Sequence, residues 1–379
     1  MDRYREGMTA LSSLRAHLAA AAPRMLDDLA ELIAVESPSS DPDALARSAD
    51  VVAALGTRCT GQSPERVVVA DRPHLRWRFG SGPTRVVLIG HHDTVWPRGT
   101  LARWPFSVDG DRATGPGVVD MKAGLVILFH ALAVCDDLDG VAVIVNADEE
   151  IGSPTSTELI HDTARGAAGA LVLEGSTQGR LKVARKGISH YSVRVTGRAA
   201  HAGNAPHLGI NAGVELSHQI LRIAALADPQ RGTTVSPTDS TAGTTSNTIP
   251  AAARVSVDVR SFDQAELERV DAALRALEPV LEGARLDVEA GPARPAMPES
   301  AAAELFALAQ RLGGPGLVSE AVGGGSDGNL TAGIGVRTLD GLGAIGGNAH
   351  AEGEWIELSS LPDRAALVST LTATIGRAE

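Results

Sequence analysis

The stretch that decides the fold is Arg85-Val86-Val87-Leu88-Ile89-Gly90-His91-His92-Asp93-Thr94-Val95. Its apolar half has the length and composition of a buried β-strand, and it ends abruptly in His-His-Asp. Because side chains alternate across a strand, His91 and Asp93 should point to one side and His92 to the other. His91 can therefore bind a metal ion, with Asp93 beside it as a supporting carboxylate. A simple hydrogen bond between His91 and Asp93 is the alternative.

Other apolar runs also end in carboxylates. Asp148-Glu149-Glu150 follows Val-Ala-Val-Ile-Val-Asn-Ala, and Glu174 follows Ala-Leu-Val-Leu. Three adjacent carboxylates repel one another, so a positive charge should offset them unless they lie in a solvated loop. In a metal site, one glutamate can bind the ion while its neighbour acts as general base.

Two further candidate ligands lie in glycine-rich stretches. Asp120 follows Gly-Pro-Gly-Val-Val and precedes a predicted helix, where an aspartate could also serve as N-cap. His350 follows Gly-Gly-Asn-Ala, and a surface-loop histidine is the alternative there. As a set, three carboxylates and two histidines suit Zn²⁺ in mixed nitrogen and oxygen coordination. One carboxylate shared by two ions would make a two-metal hydrolytic site.

Predicted strands and helices alternate along the first half of the chain. The predicted strands are 67–69, 85–90, 141–147 and 170–174, and the predicted helices are 11–35, 43–56 and 121–134. Alternation of this kind predicts an α/β fold with a mainly parallel sheet. Ligands of such sheets gather beyond the carboxyl ends of the strands, where the histidine and carboxylate clusters fall.

The pattern changes from about residue 183. The predicted elements are a strand at 189–195, a helix at 209–226, a hairpin of 243–248 and 252–260, a helix at 263–281 and a strand at 285–288. This order, βαββαβ, matches the split-βαβ unit of ferredoxin-like α+β domains. We therefore expect such a domain at 183–296, inserted into a catalytic domain made of 1–182 and 297–379.

Composition restricts the function classes. A chain of 379 residues favours two domains, and a net charge of −12 argues against binding nucleic acid or an anionic membrane. The sequence has no apolar stretch that would span a membrane and no pattern typical of a secretory signal. Cys59 and Cys135 form no C-x-x-C motif and are interpreted as reduced thiols. We expect a cytoplasmic protein.

The chain resembles a family of dinuclear zinc peptidases that includes glutamate carboxypeptidase (glucarpidase, carboxypeptidase G), aminoacylase and succinyl-diaminopimelate desuccinylase. The resemblance covers nearly the whole chain. The motifs that carry it are GHHDTV (90–95), GPGVVDMKAG (115–124), NADEEIGS (146–153), LEGS (173–176), GRAAHAG (197–203), SNTIPAAARVSVDVR (246–260), GGGSDG (323–328) and GGNAHAEGE (346–354). As a set in this order they are highly specific.

The resemblance implies two Zn²⁺ ions per subunit, with Co²⁺ or Mn²⁺ as substitutes. The implied metal ligands are His91, Asp120, Glu150, Glu174 and His350, of which Asp120 would bridge the two ions. Glu149 would be the general base, and Asp93 would orient His91. The nucleophile would be a water shared by the ions.

The resemblance also implies roles for the inserted domain. His201 would reach the active site of a neighbouring subunit and stabilise the oxyanion, in a homodimer formed through this domain. Asn247 and Arg260 would hold the free carboxylate of the substrate. Arg294 resembles an arginine that helps to recognise a glutamate moiety, and an ordinary surface arginine is the alternative.

The expected reaction is hydrolysis of an amide bond in an N-acyl amino acid or short peptide. It would release a C-terminal amino acid, for which glutamate is one candidate. An aminoacylase acting on neutral N-acyl amino acids is the alternative. A non-catalytic scaffold would lack Glu149 or a metal ligand, and neither is missing. A metal-dependent phosphoesterase would need a basic phosphate pocket, and too few arginines and lysines lie near the motifs.

Overall fold

The structure, a computed structural model, describes residues 2–314 and 316–376, with side chains from residue 13 onward. The chain divides into two compact units. The first contains the chain up to Ala184, together with Pro298–Val322 and the part from Ser326 onward. The second contains Arg185–Met297 and the short segment Gly323–Gly325.

The described helices are α1 (Asp2–Ile33), α2 (Pro42–Thr60), α3 (Thr100–Arg103), α4 (Ala123–Ala133), α5 (Thr157–Ala164), α6 (Ala212–Ala224), α7 (Gln264–Arg275), α8 (Glu299–Gly313), α9 (Asp327–Gly333) and α10 (Ser360–Gly376). The strands are β1 (Glu65–Val69), β2 (Arg72–Arg78), β3 (Val86–His91), β4 (Ser107–Asp109), β5 (Arg112–Thr114), β6 (Val141–Asn146), β7 (Gly169–Val172), β8 (Leu181–Arg185), β9 (Gly187–Thr196), β10 (Ala200–His201), β11 (Thr234–Ala242), β12 (Thr248–Ile249), β13 (Ala252–Ser261), β14 (Arg285–Arg294), β15 (Ser319–Val322), β16 (Thr338–Leu339), β17 (Gly346–Gly347) and β18 (Trp355–Glu357).

Helix α2 shows how the sequence sets the ends of an element. Asp41 is its N-cap and accepts a 3.0 Å hydrogen bond from the backbone N–H of Ala44. Pro42 occupies the first helical position, where its missing N–H costs nothing. The helix ends at Gly61, whose φ of 74° is the left-handed conformation that glycine adopts without strain.

The first unit is built on a six-stranded sheet of order β1-β2-β6-β3-β7-β16. The predicted α/β class is confirmed, but the sheet is mixed. Strands β6, β3, β7 and β16 are parallel, whereas β2 runs antiparallel to both β1 and β6.

Strand β3 lies in the middle of this sheet and is buried along its whole length. Val87 and Ile89 pack on one face with residues of α5 and α9, and α4 contacts the strand as well. Burial on both faces explains why β3 is a continuous apolar run with no polar alternation.

In the second unit the elements follow in the order β9-α6-β11-β13-α7-β14, which is the predicted βαββαβ order. The four strands form an antiparallel sheet of order β11-β13-β9-β14. Its core consists of apolar side chains of the strands packed against α6 and α7, among them Val193, Val255, Leu216 and Val270.

The prediction of a strand at 243–248 was wrong. The strand that pairs with β13 is Thr234–Ala242, and Thr248–Ile249 pairs instead with Ala200–His201. Strand β11 is an edge strand with mostly exposed side chains, a proline at position 237 and an irregular register between Pro237 and Ser240. Such a strand has no apolar alternation from which it could be recognised.

Other element limits also differ from the predictions. Helix α7 ends at Arg275, before the predicted 281, and strand β14 continues to Arg294. Strand β2 was not predicted at all. Within the described residues, no helix is both long and apolar enough to cross a lipid bilayer.

Candidate metal centre

The topology of the central sheet explains why the candidate ligands meet. Strand β3 ends at His91 and runs parallel to β6 and β7 on either side. Glu149 and Glu150 follow β6, and Glu174 follows β7. Because the carboxyl ends of parallel strands meet at one edge of the sheet, these side chains converge there.

Asp120 lies at the centre of the cluster. Its Oδ1 is 3.2 Å from Nε2 of His91, and its Oδ2 is 3.2 Å from Nε2 of His350. Nε2 of His91 is also 3.6 Å from Oε1 of Glu174, while Nε2 of His350 is 3.1 Å from Oε2 of Glu150. The two oxygens of one carboxylate thus face two different histidines, each with a further glutamate beside it.

Two overlapping groups of atoms are compact enough to surround an ion. The ligand atoms of His91, Asp120 and Glu150 all lie within 4.8 Å of one another, and so do those of His91, Glu149 and Glu174. The structure therefore brings together all five predicted metal ligands and the predicted general base, since His350 contacts Asp120 and Glu150 directly.

The carboxylates change the pKa values of both histidines. Burial by itself would lower the pKa of His91, but hydrogen bonds to Asp120 and Asp93 outweigh it and raise that pKa well above the ordinary value. Hydrogen bonds to Asp120 and Glu150 raise the pKa of His350 to about 10. Protons on the two rings thus offset the carboxylates, and a metal ion would have to displace them.

Glu150 provides the test of whether a metal ion fits this cluster. Burial raises the pKa of Glu150 to about 7. Its Oε2 contacts His350, whereas its Oε1 is buried without a hydrogen-bond partner. A buried carboxylate oxygen with no partner is costly, and a cation would satisfy it. The donors are imidazole nitrogens and carboxylate oxygens, the set that Zn²⁺ accepts, so the residues fit a divalent metal.

Asp93 holds three parts of the site. Nδ1 of His91 is 3.0 Å from the backbone oxygen of Asp93 and 3.3 Å from its Oδ1. Its two carboxylate oxygens accept hydrogen bonds of 3.2 Å from the backbone N–H groups of Glu149 and Glu150. Asp93 therefore positions the backbone of both glutamates as well as His91. Ser39 donates a further 2.7 Å hydrogen bond to Asp93.

Asp148 anchors the loop instead of facing an ion. Its carboxylate accepts hydrogen bonds from the backbone N–H and hydroxyl of Thr155 and from the hydroxyl of Ser156. Of the three adjacent carboxylates, Asp148 is therefore hydrogen-bonded within its own loop, and only Glu149 and Glu150 belong to the metal cluster.

His92 faces away from the cluster, as the strand alternation predicted, and it is fully buried. Its Nε2 is 3.1 Å from the backbone oxygen of Pro73, so this nitrogen donates, and its Nδ1 is 3.2 Å from Oγ of Ser48. Burial lowers the pKa of His92 to about 4. This neutral histidine connects the end of β3 to β2 and α2.

Lys122 connects the loop that carries Asp120 to the end of α1. Its Nζ donates to the backbone oxygens of Leu32 and Val35 at 3.0 and 2.8 Å, at the end of α1. Burial lowers the pKa of Lys122 to about 8. Lysine thus satisfies carbonyl groups that the helix end leaves without partners.

In the second unit, His201 lies on β10, and Asn247 directly precedes the neighbouring strand β12. His201 pairs with Thr248 across β10 and β12, and the backbone N–H of Ala202 donates to the backbone oxygen of Asn247. Nδ1 of His201 accepts 3.1 Å hydrogen bonds from the N–H groups of Gly203 and Asn204. Since Nδ1 accepts, the hydrogen of this exposed ring lies on Nε2.

Arg260 and Arg294 both lie against the segment Gly323–Gly325. The guanidinium of Arg260 donates to the carboxylate of Asp258 at 2.9 Å and to the backbone oxygen of Gly323 at 3.2 Å. Arg294 is only 7% exposed, and its side chain packs beside Gly325. Arg294 is therefore not an ordinary surface arginine.

Comparison with known proteins places this geometry in a family. The model of peptidase family M20/M25/M40 matches residues 87–374. Carboxypeptidase G2 of Pseudomonas sp. (strain RS-16) is 32% identical over 376 residues, covering 93% of this chain and 90% of that protein. Succinyl-diaminopimelate desuccinylase of Methylobacterium radiotolerans is 31% identical, covering 68% of this chain and 71% of that protein.

Solved structures share the fold at lower sequence identity. A tripeptidase from Staphylococcus aureus has a TM-score of 0.72 at 18% identity, covering 94% of this chain and 99% of that chain. An M20 family metallo-carboxypeptidase from Sulfolobus solfataricus has a TM-score of 0.70 at 16% identity, covering 93% of this chain and 99% of that chain. The resemblance carried by the sequence motifs is thus confirmed: the protein belongs to peptidase family M20/M25/M40 and is a metal-dependent peptidase or amidohydrolase.

Proposed function

We propose that the enzyme releases a C-terminal amino acid, with glutamate as the first candidate, by hydrolysing the amide bond of an N-acyl amino acid or short peptide. One observation carries the proposal: each oxygen of Asp120 faces a different histidine, at 3.2 Å in both cases. A bridging carboxylate between two ligand groups is the arrangement that a two-metal hydrolase requires.

We propose two ions in this cluster. His91 and Glu174 would hold one ion, His350 and Glu150 would hold the other, and Asp120 would bridge them. Zn²⁺ is the first choice, with Co²⁺ or Mn²⁺ as substitutes, because the donors are nitrogen and oxygen atoms. When bound, two such cations would acidify water and polarise the carbonyl group of the substrate.

Glu149 is proposed as the general base. Its carboxylate belongs to the cluster, and its backbone N–H is held by Asp93, so the side chain begins from a fixed position. A carboxylate oxygen of Glu149 would take a proton from the attacking water. The same oxygen would then return the proton to the nitrogen of the leaving amine.

The inserted unit is proposed to act as a ferredoxin-like lid and dimerisation domain. His201 would donate its Nε2 hydrogen to the developing oxyanion, and the hydrogen bonds to its Nδ1 keep that tautomer available. We propose that His201 serves the active site of the neighbouring subunit in a homodimer.

The free carboxylate of the substrate is proposed to bind Asn247 and Arg260, and the side-chain carboxylate of a glutamate substrate is proposed to bind Arg294. A guanidinium presents paired donors to a carboxylate, and a largely buried guanidinium such as that of Arg294 forms stronger bonds than one in open solvent. The name of the relative that is 32% identical, carboxypeptidase G2, supports release of a C-terminal residue.

The second candidate is an aminoacylase that accepts neutral N-acyl amino acids. Relatives named acetylornithine deacetylase act, by name, on an acylated amine. For either substrate class we propose the cytoplasm as the compartment, which suits the reduced state of Cys59 and Cys135.

A release assay distinguishes the candidates. Metal-free protein is supplied with Zn²⁺, Co²⁺ or Mn²⁺ and incubated with matched pairs of N-acyl amino acids and dipeptides that end in glutamate or leucine. We expect metal-dependent release of the free amino acid, with a higher kcat/KM for the glutamate member of each pair. Preference for leucine would favour the aminoacylase, and failure to cleave any amide would overturn the proposal.

A further inference from the structure

One buried carboxylate in the first unit has no part in the proposed reaction. Glu354 follows His350 by four residues, at the end of the motif GGNAHAEGE, and its side chain is completely buried. Its Oε1 accepts hydrogen bonds from the backbone N–H groups of Val119 and Asp120, at 2.7 and 3.0 Å. Its Oε2 accepts from the N–H of Gly117 and from Nε1 of Trp96, both at 3.0 Å.

The position of Glu354 follows from a small antiparallel sheet. Strand β18 pairs with β5, with Trp355 opposite Thr114. After Thr114 the chain continues into the loop that carries Asp120, and the chain that precedes Trp355 carries His350. Glu354 lies where these two segments of the chain separate, and its carboxylate lies between them.

The four hydrogen bonds join three segments of the metal centre. Gly117, Val119 and Asp120 belong to the loop of the bridging aspartate, Trp96 follows Asp93 by three residues, and Glu354 belongs to the loop of His350. A buried charge is tolerated only when donors satisfy it, and hydrogen bonds to an ionised carboxylate are the stronger kind. These bonds therefore restrict how far the three segments can move apart.

We infer that Glu354 is a positioning residue that sets the distance between Asp120 and His350 and so couples the two ion sites. Glu354 contacts neither ligand side chain. It fixes the backbone from which the side chain of Asp120 extends, and it belongs to the same loop as His350. The inference rests on the proposed metal centre, but it requires no assumption about the substrate.

The direct test is E354Q. Glutamine has the same size, but its amide offers one oxygen and one NH₂ group, so in either orientation two N–H donors would face another donor. We expect the Zn²⁺ affinity of the metal-free protein to fall roughly 10–100-fold, the range found when groups that orient metal ligands are removed. Competition against a chelator measures the affinity, and the Co²⁺ absorption spectrum reports the geometry of the ligands.

Two further variants refine the test. E357Q makes the same chemical change three residues later in β18, outside the hydrogen bonds described, and its Zn²⁺ affinity should equal that of the wild type. W96F removes one of the four donors and keeps an aromatic ring beside Trp104, whose ring centroid is 5.0 Å away. W96F should lower the Zn²⁺ affinity by a smaller factor, and it still tests the inference if E354Q does not fold.

The outcomes are distinct. If E354Q and W96F bind Zn²⁺ as tightly as the wild type, with an unchanged Co²⁺ spectrum and only a lower unfolding temperature, Glu354 merely stabilises the fold and the inference is overturned. If the wild type binds no divalent metal, the proposed metal centre fails and the inference fails with it. Loss of affinity in both variants, but not in E357Q, supports the inference even if none of the amide substrates is cleaved.

Discussion

The metal cluster and the pair His201 and Asn247 differ in how far their own unit organises them. In the first unit the ligand side chains contact one another at 3.1–3.6 Å, and Asp93 holds the backbone of two glutamates. In the second unit His201 and Asn247 are exposed, and Nδ1 of His201 accepts hydrogen bonds from nearby backbone N–H groups. The proposed metal ligands and general base are thus positioned by contacts within the first unit, whereas the side chains of His201 and Asn247 project from exposed backbone.

The largest expected effect is that of Asp120→Ala. Both oxygens of this carboxylate face a histidine, so its removal should release both ions and abolish hydrolysis. Metal analysis of the purified variant measures the content, with Asp109→Ala as the control, because Asp109 is an exposed aspartate of β4. One ion retained at full occupancy would contradict the bridging role.

Glu149→Gln should lower kcat by about 10²–10⁴-fold, the usual contribution of a general base, and leave the metal content unchanged. This variant distinguishes a base from a metal ligand within the metal cluster, because Glu149 also lies close enough to His91 and Glu174 to bind an ion. Metal analysis and turnover are measured on the same sample. Loss of an ion would make Glu149 a ligand, and wild-type turnover would exclude it as the base.

His201→Ala should lower kcat by about 10²–10³-fold, the cost of losing one oxyanion donor. Because His201 is exposed, the metal content and unfolding temperature of the variant should match those of the wild type. Mixing this variant with Glu149→Gln should restore part of the activity if His201 acts in the neighbouring subunit. No recovery after verified subunit exchange would argue against action across a dimer.

Arg294→Ala should raise KM for substrates that end in glutamate by roughly 10–100-fold, the value of a hydrogen bond to a charged group. Substrates that end in leucine should be affected much less. Since Arg294 is largely buried, the unfolding temperature must be measured in parallel. Equal losses for acidic and neutral substrates would remove Arg294 from side-chain recognition.

His92→Gln should have the smallest effect on turnover, because His92 lies beside the metal centre but faces away from it. Burial lowers its pKa to about 4 in the folded state, below the ordinary value of 6.5. The stability that depends on its neutral form is fully present above pH 6.5 and is lost as the pH falls toward 4. In denaturant titrations of metal-free protein, the free energy of unfolding should fall less over this pH range in the variant than in the wild type. The difference should be a few kcal/mol at most, since one pKa unit corresponds to about 1.4 kcal/mol. Identical pH profiles would refute this role.

The parts of the site that could be predicted are those set by strand ends. His91, Glu150 and Glu174 follow apolar runs, and parallel pairing brings such ends to one edge. The hydrogen bond between Ser39 and Asp93 had no local signal, because the two residues are 54 positions apart. The same holds for the hydrogen bonds that Asp93 receives from the backbone of Glu149 and Glu150, since no side-chain pattern records a backbone donor.

The fold could be predicted wherever burial leaves a pattern. The fully buried strand β3 and the alternating strand β13 were both recognised. Strand β11 was misplaced, because an exposed edge strand has little apolar burial to mark its register. The sequence pattern therefore records burial better than backbone pairing.

The second unit is inserted into the sequence of the first unit, and this order has a consequence for biosynthesis. His91 to Glu174 are made before the second unit, whereas His350 and α10 are made after it. At translation rates of about 5–20 residues per second, the ribosome needs on the order of ten seconds to pass through the inserted residues. During that interval the nascent chain carries an incomplete ligand set and a central sheet without β16. Metal loading is therefore expected to be completed only after the last part of the chain has left the ribosome.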